Sequence, residues 1–186
     1  MAKRNVDRLG RLINDILDFQ KIESGKMTLK LEPHNINHTA KEVAEMMMGL
    51  ANEKGLELVI DLAGNVPDMK FDKDKIAQVI TNLATNAIKF TEKGKITIKT
   101  SRSGNIIRLE IRDTGIGIRE ADMPRLFEKF SQIEKGLERK AGGSGLGLVI
   151  SKDIVEKHGG KIGAESKFGA GSIFYFLLPI EERRAS

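Results

Sequence analysis

Four polar side chains follow one another at helical spacing near the middle of the chain. Gln78, Asn82, Asn86 and Lys89 recur every three or four residues, which places them on one side of a helix predicted over residues 72–90. The same segment has an apolar stripe made of Ile76, Val79, Ile80, Leu83, Ala84 and Ala87. Amides and a lysine beside an apolar face can border a cavity for a polar ligand. An ordinary solvated helix flank has the same pattern, and this pattern alone favours the flank.

A single carboxylate interrupts the apolar face of a strand predicted over residues 106–113. The odd-numbered residues from 107 to 111 are apolar, and Asp113 continues their series. A carboxylate in register with a buried face is costly unless a partner or a ligand satisfies it. Gly115 and Gly117 follow, and glycines allow a backbone to turn tightly and to approach a ligand closely. The spacing indicates a binding site at the end of this strand.

A glycine-rich segment, residues 142–148, runs into a helix predicted over residues 144–158. Backbone N–H groups and the positive end of the helix dipole can hold phosphate at such a junction. The segment has neither the Gly-Lys-Ser/Thr ending of a Walker sequence nor the spacing of the dinucleotide-binding fingerprint. By itself it is a weak indication of a phosphate site.

Hydrophobic periodicity orders the elements that must position these residues. The predicted helices span residues 3–24, 37–54, 72–90 and 144–158. The predicted strands span residues 27–31, 56–62, 95–101, 106–113, 161–166 and 172–179. Residues 119–143 are charged and contain glycine, which predicts a surface loop. Because several strands come in adjacent pairs, the order indicates an α/β domain with a mixed sheet and helices on one face.

The first predicted helix carries an apolar stripe of Val6, Leu9, Ile13 and Ile16. Two interpretations remain open. The helix packs against the rest of this chain, or it is half of a helical hairpin or of a dimer contact.

The composition excludes several functional classes. The chain has 186 residues, of which 40% are hydrophobic and 31% charged, so we expect a globular protein and not a disordered one. No apolar run approaches the roughly 20 residues of a membrane span, and no signal peptide is visible. The absence of cysteine excludes thiolate metal sites and agrees with a cytoplasmic location. Basic and acidic residues are interleaved and tryptophan is absent, which argues against nucleic-acid binding.

Taken together and in this order, the segments resemble the catalytic ATP-binding domain of the sensor histidine kinases of two-component systems. Four stretches resemble, in order, the asparagine box, the first glycine box, the phenylalanine box and the second glycine box of that family: residues 82–91, 113–118, 126–132 and 143–148. Residues 165–172 fit the family's last hairpin. The first helix is similar to the second helix of the family's dimerisation and phosphotransfer hairpin.

The resemblance implies a two-layer α/β fold of the Bergerat type. A mixed sheet of about five strands would carry three helices on one face, behind an N-terminal helix. Residues 1–25 would be the remnant of the hairpin and residues 26–182 the catalytic domain, with ATP between the helices and a lid.

The resemblance also implies roles. Asp113 would accept a hydrogen bond from the adenine amino group, and Asn86 would give its amide oxygen to Mg²⁺, a cation that prefers oxygen ligands. Lys89 would contact phosphate, and Lys129 falls where many relatives carry an arginine directed at the terminal phosphate. The implied ATP-binding set is Asn82, Asn86, Lys89, Phe90, Asp113, Gly115, Gly117, Ile118, Lys129, Phe130, Gly143, Ser144, Gly145, Leu146, Gly147 and Leu148.

One departure within the superfamily separates phosphoryl transfer from hydrolysis. The hydrolysing branches place a glutamate four residues before the metal-binding asparagine, as a base for water. Asn82 occupies that position here, and an amide takes no proton near neutral pH. The sequence therefore favours transfer of the γ-phosphoryl group over ATP hydrolysis.

The resemblance implies a transfer in which this chain lacks the acceptor. None of His34, His38 and His158 has the acidic neighbour and following proline of the family's acceptor. The acceptor would be a histidine on the protein's own dimerisation domain or on a second protomer, with onward transfer to a response regulator receiver domain. We expect no nucleic-acid or membrane contact by this segment, and the sequence leaves open whether the parent protein is membrane-anchored. A protein serine kinase of the same superfamily and a non-catalytic nucleotide-binding module are the alternatives.

Overall fold

The computed structural model describes Gly10, Ile13, residues 16–129, Ser131 and residues 145–180. The described helices are α1 (residues 16–23), α2 (Ile36–Glu53), α3 (Lys73–Phe90) and α4 (Gly147–Lys157). The strands are β1 (Glu32–His34), β2 (Glu57–Asp61), β3 (Met69–Phe71), β4 (Lys95–Ser103), β5 (Ile106–Asp113), β6 (Lys161–Ser166) and β7 (Ser172–Pro179). A short 3-10 helix spans Glu120–Arg125.

Within the described residues, the main sheet has five strands in the order β2-β4-β5-β7-β6. β2 pairs in parallel with β4, and the other neighbours pair antiparallel. The prediction of a mixed sheet of about five strands is confirmed. The register places Asp113, the last residue of β5, opposite Ser172, the first residue of β7. The carboxylate singled out by its position in the sequence therefore lies between two strand ends.

Three of the described helices, α2, α3 and α4, cover one face of this sheet, as predicted. α2 packs on β2 and β4, α3 on β4 and β5, and α4 on β6 and β7. The strand residues that face the helices are buried and apolar, among them Ile98, Leu109 and Phe176. The alternate residues of β5 form the opposite, polar face, where Arg108 binds Glu110. The alternation of residue types along β5 thus sets which face the helices cover.

Hydrogen bonds with side chains outside the helix fix both ends of α3. Asp72 is the N-cap, and its carboxylate accepts a hydrogen bond from the Lys75 N–H at 3.0 Å. At the other end, the Lys54 ammonium donates to the carbonyl oxygens of Ile88, Lys89 and Thr91 at 2.7–3.1 Å. A cation at the carbonyl end of a helix satisfies groups that have no partner within the helix. These contacts fix the helix that carries Asn82 and Asn86.

Two short segments differ from the sequence prediction. The strand predicted over residues 27–31 is wrong, because that stretch is irregular and β1 follows it at Glu32–His34. β1 pairs antiparallel with β3, a strand the sequence pattern did not indicate. Each strand has three residues, too few for an alternating pattern, so distant pairing and not local sequence decides their conformation.

The described part of the first helix packs against the rest of the chain. Phe19 and Ile22 of α1 contact the core. The Asp18 carboxylate accepts hydrogen bonds from the Lys75 ammonium at 3.2 Å and from the Gln78 amide at 2.8 Å. Three apolar side chains of the same segment remain 49% exposed: Ile13, Ile16 and Leu17. One side of α1 is therefore packed on α3, while its other side remains an exposed apolar surface.

Candidate functional site

Asn82 lies where α3 meets α4. Its amide nitrogen donates to the Ser151 hydroxyl at 3.0 Å, which joins the two helices. A Cβ at Gly147 would lie 2.4 Å from Asn82 Oδ1, so only glycine allows α4 to begin this close to α3. The predicted asparagine and the predicted glycine-rich helix start are therefore in contact.

Helix α4 begins at the contact between Gly147 and Asn82. Leu146 is the N-cap residue and is buried, and its side chain makes no capping hydrogen bond. The first turn of α4 holds no acidic residue. The first N–H groups of a helix attract anions, and no carboxylate of this first turn competes for them. Gly145 precedes them with a φ of 69°, and half-buried Leu148 follows.

Asn86 lies one helical turn after Asn82 on the same side of α3. Its side chain is half-buried, and no hydrogen bond joins it to another residue of the described chain. Lys89 follows one turn later, with its ammonium 4.8 Å from the centre of the Phe90 ring. Phe90 ends α3 and is 37% exposed. This side of α3 presents an amide and an ammonium beyond the Asn82 contact.

Asp113 is buried at the end of β5, with 6% of its surface exposed. Its Oδ1 accepts the Gly115 N–H at 2.8 Å and the Ser172 N–H at 3.3 Å. Burial raises the pKa of the Asp113 carboxyl, and the two backbone N–H groups oppose that shift. Its Oδ2 accepts no hydrogen bond from the described residues, so one oxygen of a buried carboxylate is available to a ligand.

The turn after Asp113 packs tightly against the β6–β7 connection. Gly117 has a φ of 67°, and a Cβ there would lie 2.1 Å from the Lys167 carbonyl oxygen. The next residue, Ile118, donates its N–H to the Ser166 hydroxyl at 2.8 Å. Gly117 therefore has to be glycine, because its φ is positive and a side chain would clash with Lys167. This explains the glycine at this position of the first glycine box.

Lys129 lies apart from the contacts above. Its ammonium binds the Glu23 carboxylate of α1 and lies 5.5 Å from the centre of the Phe19 ring. Its predicted role at the terminal phosphate stays a prediction. Phe130, Gly143 and Ser144, which the sequence also placed in the site, lie outside the described residues.

Two serines of the site were not given a role from the sequence. Ser151 binds Asn82 across the helix contact, and Ser166 contacts both Ile118 and Ser172. Serine is common on solvated surfaces, so its type carries no signal of a site. The pairing of Asp113 with the start of β7 could have pointed to Ser172, since strand neighbours share a face.

Two cavities adjoin these groups. The smaller, of about 40 Å³, is lined by Gln78, Asn82, Gly147, Ile150 and Ser151. The larger, of about 480 Å³, is lined by Ile118, Glu120, Met123, Ser166, Lys167 and Phe168. The larger volume is in the range of small-molecule sites, and its Ser166 contacts Ser172, the strand neighbour of Asp113.

The described residues contain no group of three or more histidine, aspartate or glutamate side chains able to hold a metal ion. None of their helices combines the length and the apolar character needed to span a bilayer.

The chain is similar to histidine kinases along nearly its whole length. The histidine-protein kinase BarA of Escherichia coli (strain K12) is 42% identical over 185 residues, which cover 96% of this chain and 20% of BarA. The crystal structure of full-length ShkA in complex with AMPPNP matches with a TM-score of 0.86 and 32% identity, covering 98% of this chain and 38% of that one. The structure of the histidine kinase ThkA in complex with the response regulator TrrA matches with a TM-score of 0.75 and 24% identity, covering 96% of this chain and 49% of that one. At that identity the ThkA likeness shows the fold alone.

The curated relatives are much longer proteins, and the chain spans about a fifth of their length. A family model described as "Histidine kinase-, DNA gyrase B-, and HSP90-like ATPase" matches residues 71–182. That range contains α3, α4, Asp113 and the contact between Asn82 and Gly147. The resemblance inferred from the four boxes is confirmed: the chain belongs to the histidine kinase-, DNA gyrase B- and HSP90-like ATPase family.

Proposed function

We propose that this chain binds ATP with Mg²⁺ and donates the γ-phosphoryl group to a histidine on a dimerisation domain. The observation that carries the proposal is Asp113. A buried carboxylate with one oxygen held by two N–H groups and the other available is suited to accept the amino group of adenine. The AMPPNP complex of ShkA, a structure 32% identical to this chain, supports a nucleotide as the ligand.

The phosphates would lie at the start of α4. The first N–H groups of this helix have no acidic neighbour in their own turn, and Gly147 keeps the helix start against Asn82. Lys89 would add a positive charge from α3. Asp113 and the α4 terminus would thus hold the two ends of one nucleotide, the base and the phosphates.

The described residues fit Mg²⁺ as an ion that arrives with the nucleotide. They offer the Asn86 amide oxygen and no cluster of carboxylates that would hold the ion alone. Mg²⁺ keeps several waters and is bound through few protein oxygens together with substrate phosphates. Asn86 would hold it, and the ion would neutralise phosphate charge.

Phosphoryl transfer is favoured over hydrolysis by the position of Asn82. Its amide is hydrogen-bonded to Ser151 and has no lone pair able to take a proton from water at neutral pH. We therefore assign this domain to positioning and charge neutralisation of the nucleotide, with the accepting group supplied by another domain.

Residues 1–25 would belong to the dimerisation hairpin and residues 26–182 to the catalytic domain. The acceptor histidine would lie on the dimerisation domain of the same protein, in either protomer, and the phosphoryl group would pass to a response regulator. The similarity to BarA over 96% of the chain supports this assignment to a sensor kinase. The domain would work in the cytoplasm, where ATP is available.

The transfer is tested by mixing this chain with the separately produced dimerisation domain of BarA and γ-³²P-labelled Mg-ATP. We expect acid-labile, alkali-stable label on the dimerisation domain and none on this chain. His158 cannot accept, because both ring nitrogens are engaged, with the Asp72 N–H at 3.0 Å and with the Ile154 carbonyl at 2.7 Å. Acid-stable label would indicate a serine kinase, and binding without transfer would favour a non-catalytic nucleotide module.

A further inference from the structure

Ser166 is surrounded by three hydrogen-bonding groups beside Asp113. Its Oγ accepts the Ile118 N–H at 2.8 Å, lies 2.9 Å from the Gly171 carbonyl oxygen and lies 3.0 Å from the Ser172 Oγ. Ser166 and Ser172 are register partners on β6 and β7, and Ser172 is in turn the partner of Asp113. The three side chains therefore stand side by side on the helix-covered face of the sheet.

The donors and acceptors can be paired in only one way that satisfies all three contacts of Ser166. A carbonyl oxygen cannot donate, so the single Ser166 hydroxyl proton goes to Gly171. The Ile118 N–H and the Ser172 hydroxyl then both donate to Ser166 Oγ, which fills its two lone pairs. The Ser172 hydroxyl proton is thus directed toward Ser166.

This pairing leaves only acceptors unused on Asp113 and Ser172. The Ser172 N–H is used by Asp113 Oδ1, and the Ser172 hydroxyl proton is used by Ser166. The groups that remain are Asp113 Oδ2 and a lone pair of Ser172 Oγ, and neither can donate while Asp113 is ionised.

We propose that Ser166 is a positioning residue for base selectivity. It would not contact the nucleotide, but would fix the direction of the Ser172 hydroxyl so that the site offers two acceptors to the 6-amino group of adenine. A 6-oxo purine would meet these acceptors with its own carbonyl oxygen. The inference rests on the proposed function, because it assumes that adenine lies at Asp113.

The unmodified chain gives the first test. Binding of ATP, purine riboside triphosphate and inosine triphosphate is measured by calorimetry with Mg²⁺. These ligands carry an amino group, a hydrogen and a carbonyl oxygen at position 6. We expect affinity to fall in that order. Inosine triphosphate binding as tightly as purine riboside triphosphate would show that Ser172 can turn to donate, and would overturn the inference.

The second test removes the Ser166 hydroxyl. In S166A the Ser172 hydroxyl is free to rotate and donate to a carbonyl oxygen, so the preference for ATP over inosine triphosphate should shrink about three- to tenfold. S166T keeps the hydroxyl and should restore the preference. S101A is the matched control, because Ser101 lies on the polar face of the sheet, opposite the helices. It should leave the preference unchanged.

A double substitution shows whether Ser166 acts through Ser172. In an S172A background no hydroxyl remains to turn, so adding S166A should not change the preference further. A full additional shift would overturn the proposed route. If the unmodified chain binds no ATP, the proposed function itself fails. If ATP binds and S166A leaves the preference unchanged, only the role of Ser166 fails.

Discussion

The substitution Asp113→Asn separates the binding role of this residue from its effect on folding. An asparagine has nearly the same shape, and its Oδ1 can still accept the Gly115 and Ser172 N–H groups at 2.8 and 3.3 Å. The group at the Oδ2 position becomes an amide nitrogen, which donates. A ligand amino group that met an acceptor would now meet a donor.

The expected loss of ATP affinity follows from this unmatched contact. Leaving a buried polar group without its partner costs about 1–3 kcal/mol, which corresponds to roughly five- to 150-fold in affinity. The stability of the folded state should not fall in the same way. Burial raises the pKa of the Asp113 carboxyl, so the ionised form destabilises the folded state at pH values above the unfolded pKa of 3.8. Asparagine carries no charge, and the melting temperature of D113N should equal or exceed that of the unmodified chain at pH 7.

Calorimetric titration with Mg-ATP measures the affinity, and thermal unfolding without nucleotide measures stability. The matched control is Asp61→Asn, which removes an exposed carboxylate that binds Lys99 on the polar face of the sheet. D61N should bind ATP like the unmodified chain. If D113N also keeps the original ATP affinity, Asp113 does not hold the base. If D113N binds poorly but is also strongly destabilised, the loss of ATP affinity reflects folding, and the expected separation of binding from folding is wrong.

Three further predictions address Asn86, Gly147 and His158. Asn86→Ala should weaken Mg-ATP binding more than binding of ATP with EDTA, and equal weakening in both titrations would exclude Asn86 as the metal ligand. Gly147→Ala should lower both the melting temperature and ATP affinity, by about 1–3 kcal/mol in stability, because its Cβ would lie 2.4 Å from Asn82 Oδ1. The control Gly49→Ala lies on α2 with nothing within 4 Å of its Cβ, and should leave stability unchanged or higher. Finally, burial lowers the pKa of His158 below 6.5, so folding stability should fall as the pH drops from 7 toward 5. H158Q should show a smaller fall in melting temperature over this range. If the melting temperatures of H158Q and the unmodified chain fall equally, His158 is not the cause of this pH dependence.

The long elements were predictable because their apolar residues repeat over many positions. The observed α3 begins one residue after the predicted start and ends at the predicted residue, and β5, β6 and β7 have their predicted bounds. Asp113 could also be singled out, because its place in the apolar series of β5 required a reason. These inferences needed only the period of a helix or a strand and the cost of burying a charge.

The polar contacts between elements could not be predicted, since they join residues far apart in the sequence. Ser151 binds Asn82 across 69 positions, and His158 accepts the Asp72 N–H across 86. His158 lies at the C-terminal end of α4, where the helix dipole favours a charged imidazole. Burial has the opposite effect and is the largest cause of the shift, so the pKa of His158 is lowered. That burial and the contact with Asp72 arise from the folded structure and are not visible in the local sequence.

The contact between Lys129 and Glu23 is compatible with the predicted role of Lys129 in binding phosphate. Both side chains are more than half exposed, and exposed ion pairs contribute about 0–1 kcal/mol. A triphosphate carries several charges, so its attraction for the ammonium exceeds that of one solvated carboxylate. Lys129 cannot bind both partners at full strength, because each competes for the same three N–H donors. Nucleotide contact by Lys129 would therefore loosen its link to α1 at small cost, while the contacts of Asp18 with Lys75 and Gln78 would still hold α1 on α3.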